Sequence, residues 1–329
     1  MRSLLLFIFL LTGCAGKHTL NLKSHRYALQ ARKVIWLQIP GLDFEHIALT
    51  HFFDTKNSKT SFENSDCVAN LWSYNLFEVA PLASQSLVSQ ITGSKNINAS
   101  CENDQQRPLW DYLKNYKTLV LESPTEANET LETAVNCQKD FFSQATFLKM
   151  GASPQKEAQF YNTEENFIKP SGIFYDRACQ NKDKKCTDPL ALHADVVVKK
   201  YWETESRFVL IFRDFSYYHL LQKNDLKSAR NILQMWERNY SYWLQLAQKD
   251  PHLLILITSS APFKINFPKT GTTWKTVAEK GEGVSFVGQS LQAPLFVKGA
   301  SAENFCGFYE ETDILPRLLQ SMQKRSKLF

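Results

Sequence analysis

Short apolar runs along the chain predict strands that are buried on both faces. The run in KVIWLQIPGLDFE, residues 33–45, is almost unbroken and ends at Pro40 and Gly41. Continuous runs of this length, rich in β-branched residues, are typical of parallel strands covered on both sides. Equivalent runs occupy RFVLIF at 207–212 and HLLILIT at 252–258, with shorter ones at 118–121 and 294–297.

Between these runs, apolar residues recur every three or four positions, which is the spacing of amphipathic helices. Leu226 to Ala247 shows this spacing most regularly, and Pro81 to Gly93 begins with a residue suited to a helix start and ends with one suited to a C-cap. Shorter helices are expected at 46–53, around 109–113 and at 313–322. Strands that alternate with helices predict an α/β protein of three layers, α/β/α, with a mostly parallel central sheet.

Three stretches fit this alternation less well. Residues 54–66 are polar and predict a loop, and residues 141–150 predict a strand followed by a loop. The segment at 162–188 is expected to be irregular and held by disulfides.

The N-terminus predicts export and attachment to a membrane. Residues 4–11 form an apolar core after Arg2, too short to span a bilayer as a retained helix, so residues 1–13 are expected to be a secretory signal peptide. The ending Leu-Thr-Gly-Cys resembles a bacterial lipobox, in which Cys14 is acylated; the alternative is a plain signal peptide with an incidental cysteine. A lipid on Cys14 would hold the chain to the membrane without spanning it.

These features give an expected layout and location. Residues 14–32 form a lipidated tether, and residues 33–329 form a single domain. In the lipoprotein resemblance, alanine after the cysteine, at position 15, favours the outer membrane of a bacterial cell envelope, facing the periplasm or the surface.

The charge composition of the chain argues against a nucleic-acid partner. The chain carries 329 residues, 22% of them charged, with a formal net charge of +5. Lysine and arginine are scattered among the acids, which favours a solvated surface over a nucleic-acid partner.

Besides Cys14, six cysteines remain, and an even number in an exported chain predicts disulfides. Cys179 and Cys186 are the nearest pair, and the absence of any C-x-x-C spacing argues against a zinc site.

Several segments, in order from residue 33 to about 319, resemble the alkaline phosphatase superfamily, its sulfatase-like branch in particular. They are similar to the family's first strand, its nucleophile helix, its t-L-x-x-x-L-x-x-x-G-Y-k-T segment, the strand that leads into T-S-D-H-G, and two closing pieces. These segments are VIWLQIPGL (34–42), PLASQSLVSQITG (81–93), PLWDYLKNYKTLVLES (108–123), HLLILITSSAP (252–262), SLQAPLFVKG (290–299) and ETDILPRLL (311–319). The resemblance implies an alkaline phosphatase-like fold and a site that hydrolyses phosphate or sulfate esters with bound divalent metal.

Carried over residue by residue, the resemblance predicts that this site has lost its chemistry. The metal-binding aspartate after the first strand falls on Pro40, and the nucleophile falls on Ala83. The later Asp-His pair falls on Ser260 and Ala261. Proline and alanine side chains can neither bind a metal ion nor attack an ester. The expectation is therefore no metal cofactor, with a single divalent metal at a displaced site as the alternative.

Four residues remain as candidates for a rearranged site. Ser84 neighbours the nucleophile position, although serine is also a preferred helix N-cap. Asp43 lies with Glu45 and His46 after the first strand, where a displaced metal site or a solvated helix start would fit. Asp214 and His219 follow the strand at 207–212 and would line a pocket, unless Asp214 caps a helix or pairs with its neighbour Arg213.

These observations support two functions. The first is a non-catalytic envelope lipoprotein that binds or scaffolds a partner, which is an envelope glycan, lipid or protein. The second is an active hydrolase or transferase acting on esters of envelope components through Ser84, Asp43, Asp214 and His219. The two differ in whether those four side chains converge at the strand ends. A structural protein of another α/β fold is the third alternative, since fold and function are separable.

Overall fold

The computed structural model describes residues 29–53, 59–97, 107–123, 129–135, 140–151, 157–162, 167–181, 188–267, 276–277 and 283–323. Its strands are β1 (Lys33–Gln38), β2 (Cys67–Trp72), β3 (Lys117–Glu122), β4 (Thr146–Lys149), β5 (Gln159–Tyr161), β6 (Gly172–Asp176), β7 (Phe208–Arg213), β8 (Leu253–Thr258), β9 (Phe263–Asn266), β10 (Ser285–Gln289), β11 (Gln292–Gly299) and β12 (Gly307–Glu310). Its helices are α1 (Phe44–Phe53), α2 (Ala83–Thr92), α3 (Leu131–Ala134), α4 (Arg177–Gln180), α5 (Leu190–Thr204), α6 (Ser216–Gln222), α7 (Leu226–Lys249) and α8 (Ile314–Met322).

Ten strands form one central sheet in the order β12-β2-β11-β8-β1-β7-β3-β4-β6-β5. The strands from β8 to β5 in this order pair in parallel, whereas β11 runs antiparallel to both β8 and β2. The mostly parallel sheet predicted from the apolar runs is therefore confirmed. The strands β9 and β10 form a separate antiparallel pair.

Two hydrophobic cores cover the two faces of this sheet. Alternate residues of β1 point to opposite sides: Ile35 and Leu37 pack with helices α5 and α7, whereas Val34 and Trp36 pack with α2 and α8. Because nearly all side chains of β1, β7 and β8 are buried, these central strands need continuous apolar sequence. The three-layer α/β/α architecture is thus confirmed.

Three local predictions were wrong. The segment 162–188 is not irregular throughout, because it contains β6 and the short helix α4. The helix expected around 109–113 is a single 3-10 turn, Leu109–Tyr112. Residues Ser61–Asn64, within the expected loop, also form a 3-10 turn, which the side chain of Glu63 stabilises by accepting a hydrogen bond from Thr60 N at 2.6 Å.

The expectation of disulfides is confirmed, since Cys67 at the start of β2 is bonded to Cys306, just before β12. This bond joins segments 239 residues apart at one edge of the sheet. Cys179 is also disulfide-bonded, and Cys186, which the sequence favours as its partner, lies outside the described residues.

Candidate functional site

Four polar side chains form a row across the carboxyl ends of the central parallel strands. Glu122 is the last residue of β3, Arg213 of β7, Gln38 of β1 and Thr258 of β8, and the strand registers place them side by side. Ligands of open α/β sheets bind at this edge. We refer to Glu122, Arg213, Gln38 and Thr258 as the polar row.

The members of the polar row are hydrogen-bonded to one another. Arg213 Nε donates to Glu122 Oε2 at 3.0 Å, and Arg213 Nη1 donates to Gln38 Oε1 at 3.3 Å. Gln38 Nε2 donates in turn to Oε1 of Gln90, on helix α2, at 3.4 Å, and Thr258 Oγ1 donates to the same oxygen at 2.8 Å. All five side chains are buried. Most of their polar atoms bond within the protein, but Glu122 Oε1 and Arg213 Nη2 have no hydrogen-bond partner among the described residues.

Sequence reasoning missed this network. Gln38, Gln90 and Glu122 carry no motif, and Arg213 was considered only as a partner for Asp214. The available signal was positional, because each strand residue of the polar row directly ends a continuous apolar run.

The loops that leave β1 and β8 are joined by backbone hydrogen bonds. Ile39 N donates to Thr258 O at 2.9 Å, and Gly41 N donates to Ser260 O at 2.8 Å. Pro40 is buried between them. These two loops are the ones that the sequence resemblance expects to supply metal ligands, and here they are held together through their backbones.

A small apolar cluster lies in the crevice above these loops. It consists of Ala83, Leu87, Phe215, Tyr218 and Ala261, with Phe263 packed against it, and we refer to it as the crevice cluster. Two of its members, Ala83 and Ala261, are positions at which the resemblance expects a nucleophile and a metal-binding histidine. Phenylalanine and tyrosine rings thus occupy the space beside those positions.

The crevice is closely packed at Gly41. A Cβ atom on this glycine would lie 3.1 Å from Leu221 and 3.3 Å from Tyr218, and the backbone φ of +85° also favours glycine. Side chains from α6 therefore reach the loop after β1 and leave no room for a methyl group there.

Solved structures share this architecture. The chain is similar to alkaline phosphatase from the Antarctic bacterium TAB5, with a TM-score of 0.68 and 16% identity over 90% of this chain and 98% of that one. It is equally similar to the Thermus thermophilus alkaline phosphatase, with a TM-score of 0.68 and 11% identity over 95% and 96% of the two chains. The chain has the alkaline phosphatase fold.

A third solved structure shares the fold. The lipoteichoic acid synthase LtaP from Listeria monocytogenes matches with a TM-score of 0.52 and 10% identity over 92% of this chain and 74% of that one. No family model and no curated protein sequence matches the chain. At these identities the comparisons establish the alkaline phosphatase fold alone.

The donor atoms near the crevice do not fit the metal ions that this fold implies. Within the described residues, no three His, Cys, Asp or Glu side chains are grouped so that they could hold a metal ion. Divalent ions in hydrolytic sites need several such oxygen or nitrogen ligands. No catalytic step through a metal ion can be built from the described side chains.

Ser84 is the second residue of α2 and does not cap it. The helix begins at Ala83 with Leu82 as its N-cap, so the N-cap alternative for Ser84 is wrong. The reason is that Gln85 Oε1 accepts the Leu82 N–H at 3.0 Å and stabilises the helix start instead. Ser84 is 1% exposed, and its Oγ has no hydrogen-bond partner among the described residues. In the part of the chain that the structure describes, no base is hydrogen-bonded to this hydroxyl.

Asp43 and His46 lie together, and Asp43 N donates to His46 Nδ1 at 3.3 Å. Asp43 Oδ1 accepts from Glu45 N at 3.1 Å, and burial raises the pKa of this carboxyl. His46 is fully buried, so the solvated helix start expected there is wrong for this residue. Its Nε2 bonds to Phe263 O at 2.8 Å, and its Nδ1 bonds to Tyr217 OH at 2.9 Å.

The same contacts fix the protonation of His46. A carbonyl oxygen only accepts, so Nε2 carries the proton and Nδ1 accepts from the Tyr217 hydroxyl. Burial lowers the pKa of His46 to about 3, which keeps the ring neutral at physiological pH. Both ring nitrogens are therefore used within the protein.

Asp214 is fully buried and bonds to two groups outside the crevice cluster. Its Oδ1 accepts from Ser216 N at 2.9 Å at the start of α6, and its Oδ2 accepts from Trp236 Nε1 at 2.7 Å. Asp214 is not the N-cap of α6, because that residue is Phe215; the bond to Ser216 N closes a turn just before the helix. Asp214 does not pair with Arg213 either, because the Arg213 guanidinium bonds to Glu122 and Gln38.

His219 pairs with an acid outside the candidate set. Its Nε2 lies 2.6 Å from Glu129 Oε2, and both side chains are partly exposed. In the described part of the chain, Ser84, Asp43, Asp214 and His219 each have separate surroundings, and no hydrogen bond joins two of them. The structure brings none of these four together.

Two predictions about the N-terminus concern residues outside the described ranges, namely the signal peptide at 1–13 and the lipidation of Cys14. None of the helices in the described ranges combines the length and the apolar composition that crossing a bilayer requires.

Proposed function

We propose that this chain is a non-catalytic protein with the alkaline phosphatase fold that binds or scaffolds a component of the bacterial envelope, to which Cys14 anchors it by a lipid. The observation that carries the proposal is the crevice cluster. Apolar side chains lie beside Ala83 and Ala261, the positions at which the sequence resemblance implies a nucleophile and a metal ligand, and most polar atoms of the nearby polar row bond within the protein.

A cavity beside the crevice supports a binding role. It has a volume of about 540 Å³ and is lined by Asp43, Glu45, Trp72, Lys264, Gln289 and Gln292, among others. Cavities of this size accept small ligands, and the few polar groups in them set specificity. An aromatic side chain beside amide, carboxylate and ammonium groups suits a hydroxyl-rich ligand, such as an envelope glycan.

Apolar exposure at the same edge gives further support. The segment between β2 and α2 carries exposed Leu76, Phe77, Val79 and Leu82, with Leu76 70% and Val79 72% accessible. A run of exposed apolar side chains in one segment is typical of a surface that contacts a partner.

The test is a metal analysis of the full chain combined with hydrolysis assays on aryl phosphate and aryl sulfate esters, with and without added zinc, magnesium or calcium. The expected result is no stoichiometric metal and no turnover above the buffer blank. Turnover that Ser84→Ala abolishes and Ser89→Ala retains would support the hydrolase alternative and overturn the proposal. Ser89 is a matched control, because it lies on the same helix and its buried hydroxyl is also without a partner among the described residues.

A further inference from the structure

A second cavity, about 420 Å³ in volume, lies at the opposite edge of the sheet. It is lined by Lys117 and Thr118 at the start of β3, by Thr146 at the start of β4, and by Arg207 just before β7. Because these strands are parallel, the cavity lies at their amino ends, one strand length away from the polar row. None of the residues that line it belongs to the crevice cluster or to the polar row.

The lining of this amino-edge cavity is strongly basic. Lys114, Lys117, Lys169 and Arg207 contribute four positive charges, whereas Glu205 contributes one negative charge. Within the described residues, no ion pair joins any of the four cations to an acid. A concentration of uncompensated positive charge in a concave surface attracts anions.

Hydroxyl groups complete the lining. Thr118 is 5% exposed, and its buried Oγ1 has no hydrogen-bond partner among the described residues. An unpartnered buried hydroxyl is costly unless a ligand or a water molecule bonds to it. Thr146 is different, because its hydroxyl donates to the Lys169 and Pro170 carbonyls at 3.0 Å. Cationic side chains beside hydroxyl donors are suited to phosphate oxygens.

The chain enters the domain at this same edge. Tyr116 lines the cavity, and its hydroxyl donates to Ala31 O at 3.0 Å, just before β1. The Arg207 guanidinium lies 5.8 Å from the centre of the Tyr116 ring. The segment that begins at Cys14, seventeen residues before Ala31, therefore joins the domain at its cavity-bearing edge.

We propose that the amino-edge cavity binds a phosphate group, and that the source of this phosphate is the headgroup of an anionic membrane lipid. The phosphate chemistry follows from the lining alone. The lipid as its source rests on the proposed lipid anchor, and free inorganic phosphate is the other source of the same chemistry.

In the experiment, the full chain is held in an uncharged detergent and titrated separately with dihexanoyl phosphatidylglycerol, dihexanoyl phosphatidylcholine and inorganic phosphate. Isothermal titration calorimetry measures the affinity for each. Phosphatidylglycerol is expected to bind tightest, and Lys114→Gln/Lys117→Gln to weaken it about tenfold or more, since each basic residue near a phosphate contributes substantially. Thr118→Val is expected to weaken it as well. The matched control, Lys223→Gln/Lys227→Gln, removes the same charge from exposed positions around the start of α7 and is expected to change the affinity by less than about twofold.

Each other outcome counts against the proposal. Equal binding of the two lipids, or equal weakening by the two double variants, would show general charge or detergent effects and would overturn it. Binding of inorganic phosphate as tight as that of phosphatidylglycerol would reject the lipid as the source. None of these results depends on whether the chain hydrolyses esters, so failure here is distinguishable from failure of the proposed function.

Discussion

Arg213 Nε lies 3.0 Å from Glu122 Oε2, and both side chains are inaccessible to solvent. The two residues end neighbouring strands, and Glu122 Oε2 also accepts from Leu131 N at 3.0 Å, which ties the start of α3 to the sheet. Burial lowers the pKa of the Arg213 guanidinium, and the Glu122 carboxylate opposes that shift. Each charge therefore depends on the other for compensation.

Removal of the carboxylate charge is expected to destabilise the fold. In Glu122→Gln the guanidinium stays buried without a counter-charge, which costs about 3–5 kcal/mol of unfolding free energy. Urea unfolding at pH 7 measures the loss. The matched comparison is Glu132→Gln, which breaks the more exposed Lys149 pair and should cost less than about 1 kcal/mol.

The double variant Glu122→Leu/Arg213→Met separates charge compensation from packing. Replacement of both partners of a buried pair by apolar residues is often close to neutral. We therefore expect the double variant to be more stable than Glu122→Gln. If the double variant were less stable than Glu122→Gln, the ion pair would have to stabilise the fold by more than the compensation of each buried charge by the other.

The buried carboxyl of Glu311 is expected to make the free energy of unfolding fall as the pH rises. This carboxyl is fully buried and accepts from Ser73 Oγ at 3.0 Å, and burial raises its pKa to about 8, from an ordinary 4.5. The folded chain thus holds a proton that the unfolded chain releases above pH 4.5. The contribution of Glu311 to the free energy of unfolding is fully present below pH 4.5 and is lost as the pH rises through 8.

Glu311→Gln should remove this dependence, since the amide does not ionise. Relative to the wild type, the variant should gain up to about 1.4 kcal/mol of unfolding free energy for each pH unit between 4.5 and 8. The neighbouring Glu310 is the control. Its pKa is lowered by hydrogen bonds from Lys95 and Tyr74, so the stabilisation by its carboxylate is already complete above pH 4.5. Relative to the wild type, Glu310→Gln should therefore lose stability as the pH rises towards 4.5 and show no slope between 4.5 and 8. A gain in Glu310→Gln as well would point to net charge as the cause.

The central strands were predictable because both of their faces are covered. The strands β1, β7 and β8 are continuous apolar runs, and the sequence leaves little alternative for such segments. Strand β2 was missed because its residues alternate between buried and exposed at one edge of the sheet. Helix α5 was missed because its N-cap, Pro189, supplies no side-chain cap and its centre holds three consecutive valines, Val196–Val198.

The site was less predictable than the fold. Gln38 and Gln90 are 52 residues apart, and Glu122 and Arg213 are 91 apart, so no local spacing signals their contact. The crevice cluster is assembled from three separate elements, and the rings of Phe215 and Tyr218 resemble ordinary core residues in the sequence. The substituted positions at Ala83 and Ala261 were visible, but the side chains that fill the space beside them were not.

Acylation of Cys14 predicts how the chain partitions in cells. Cys14→Ala should abolish incorporation of labelled palmitate and release the chain from the membrane fraction, because the lipid is the expected anchor. The control is Cys67→Ala/Cys306→Ala, which removes the described disulfide and should leave labelling unchanged. Retention of label in Cys14→Ala would contradict the lipoprotein prediction.

The buried imidazole of His46 is expected to lower the free energy of unfolding as the pH falls, which is the opposite of the effect of Glu311. Its folded pKa of about 3 lies below the ordinary 6.5, so the unfolded chain takes up a proton that the folded chain refuses. The contribution is complete above pH 6.5 and is lost as the pH falls towards 3, by up to about 1.4 kcal/mol for each unit. The unfolding free energies of His46→Gln and of the wild type are compared at each pH, so that the contribution of Glu311, which both chains share, cancels. The variant should lack the loss of stability in acid that His46 causes. Tyr217→Phe removes the hydroxyl that bonds Nδ1 but preserves burial, so it should retain the slope. A slope lost in Tyr217→Phe would assign the shift to that hydrogen bond and not to burial.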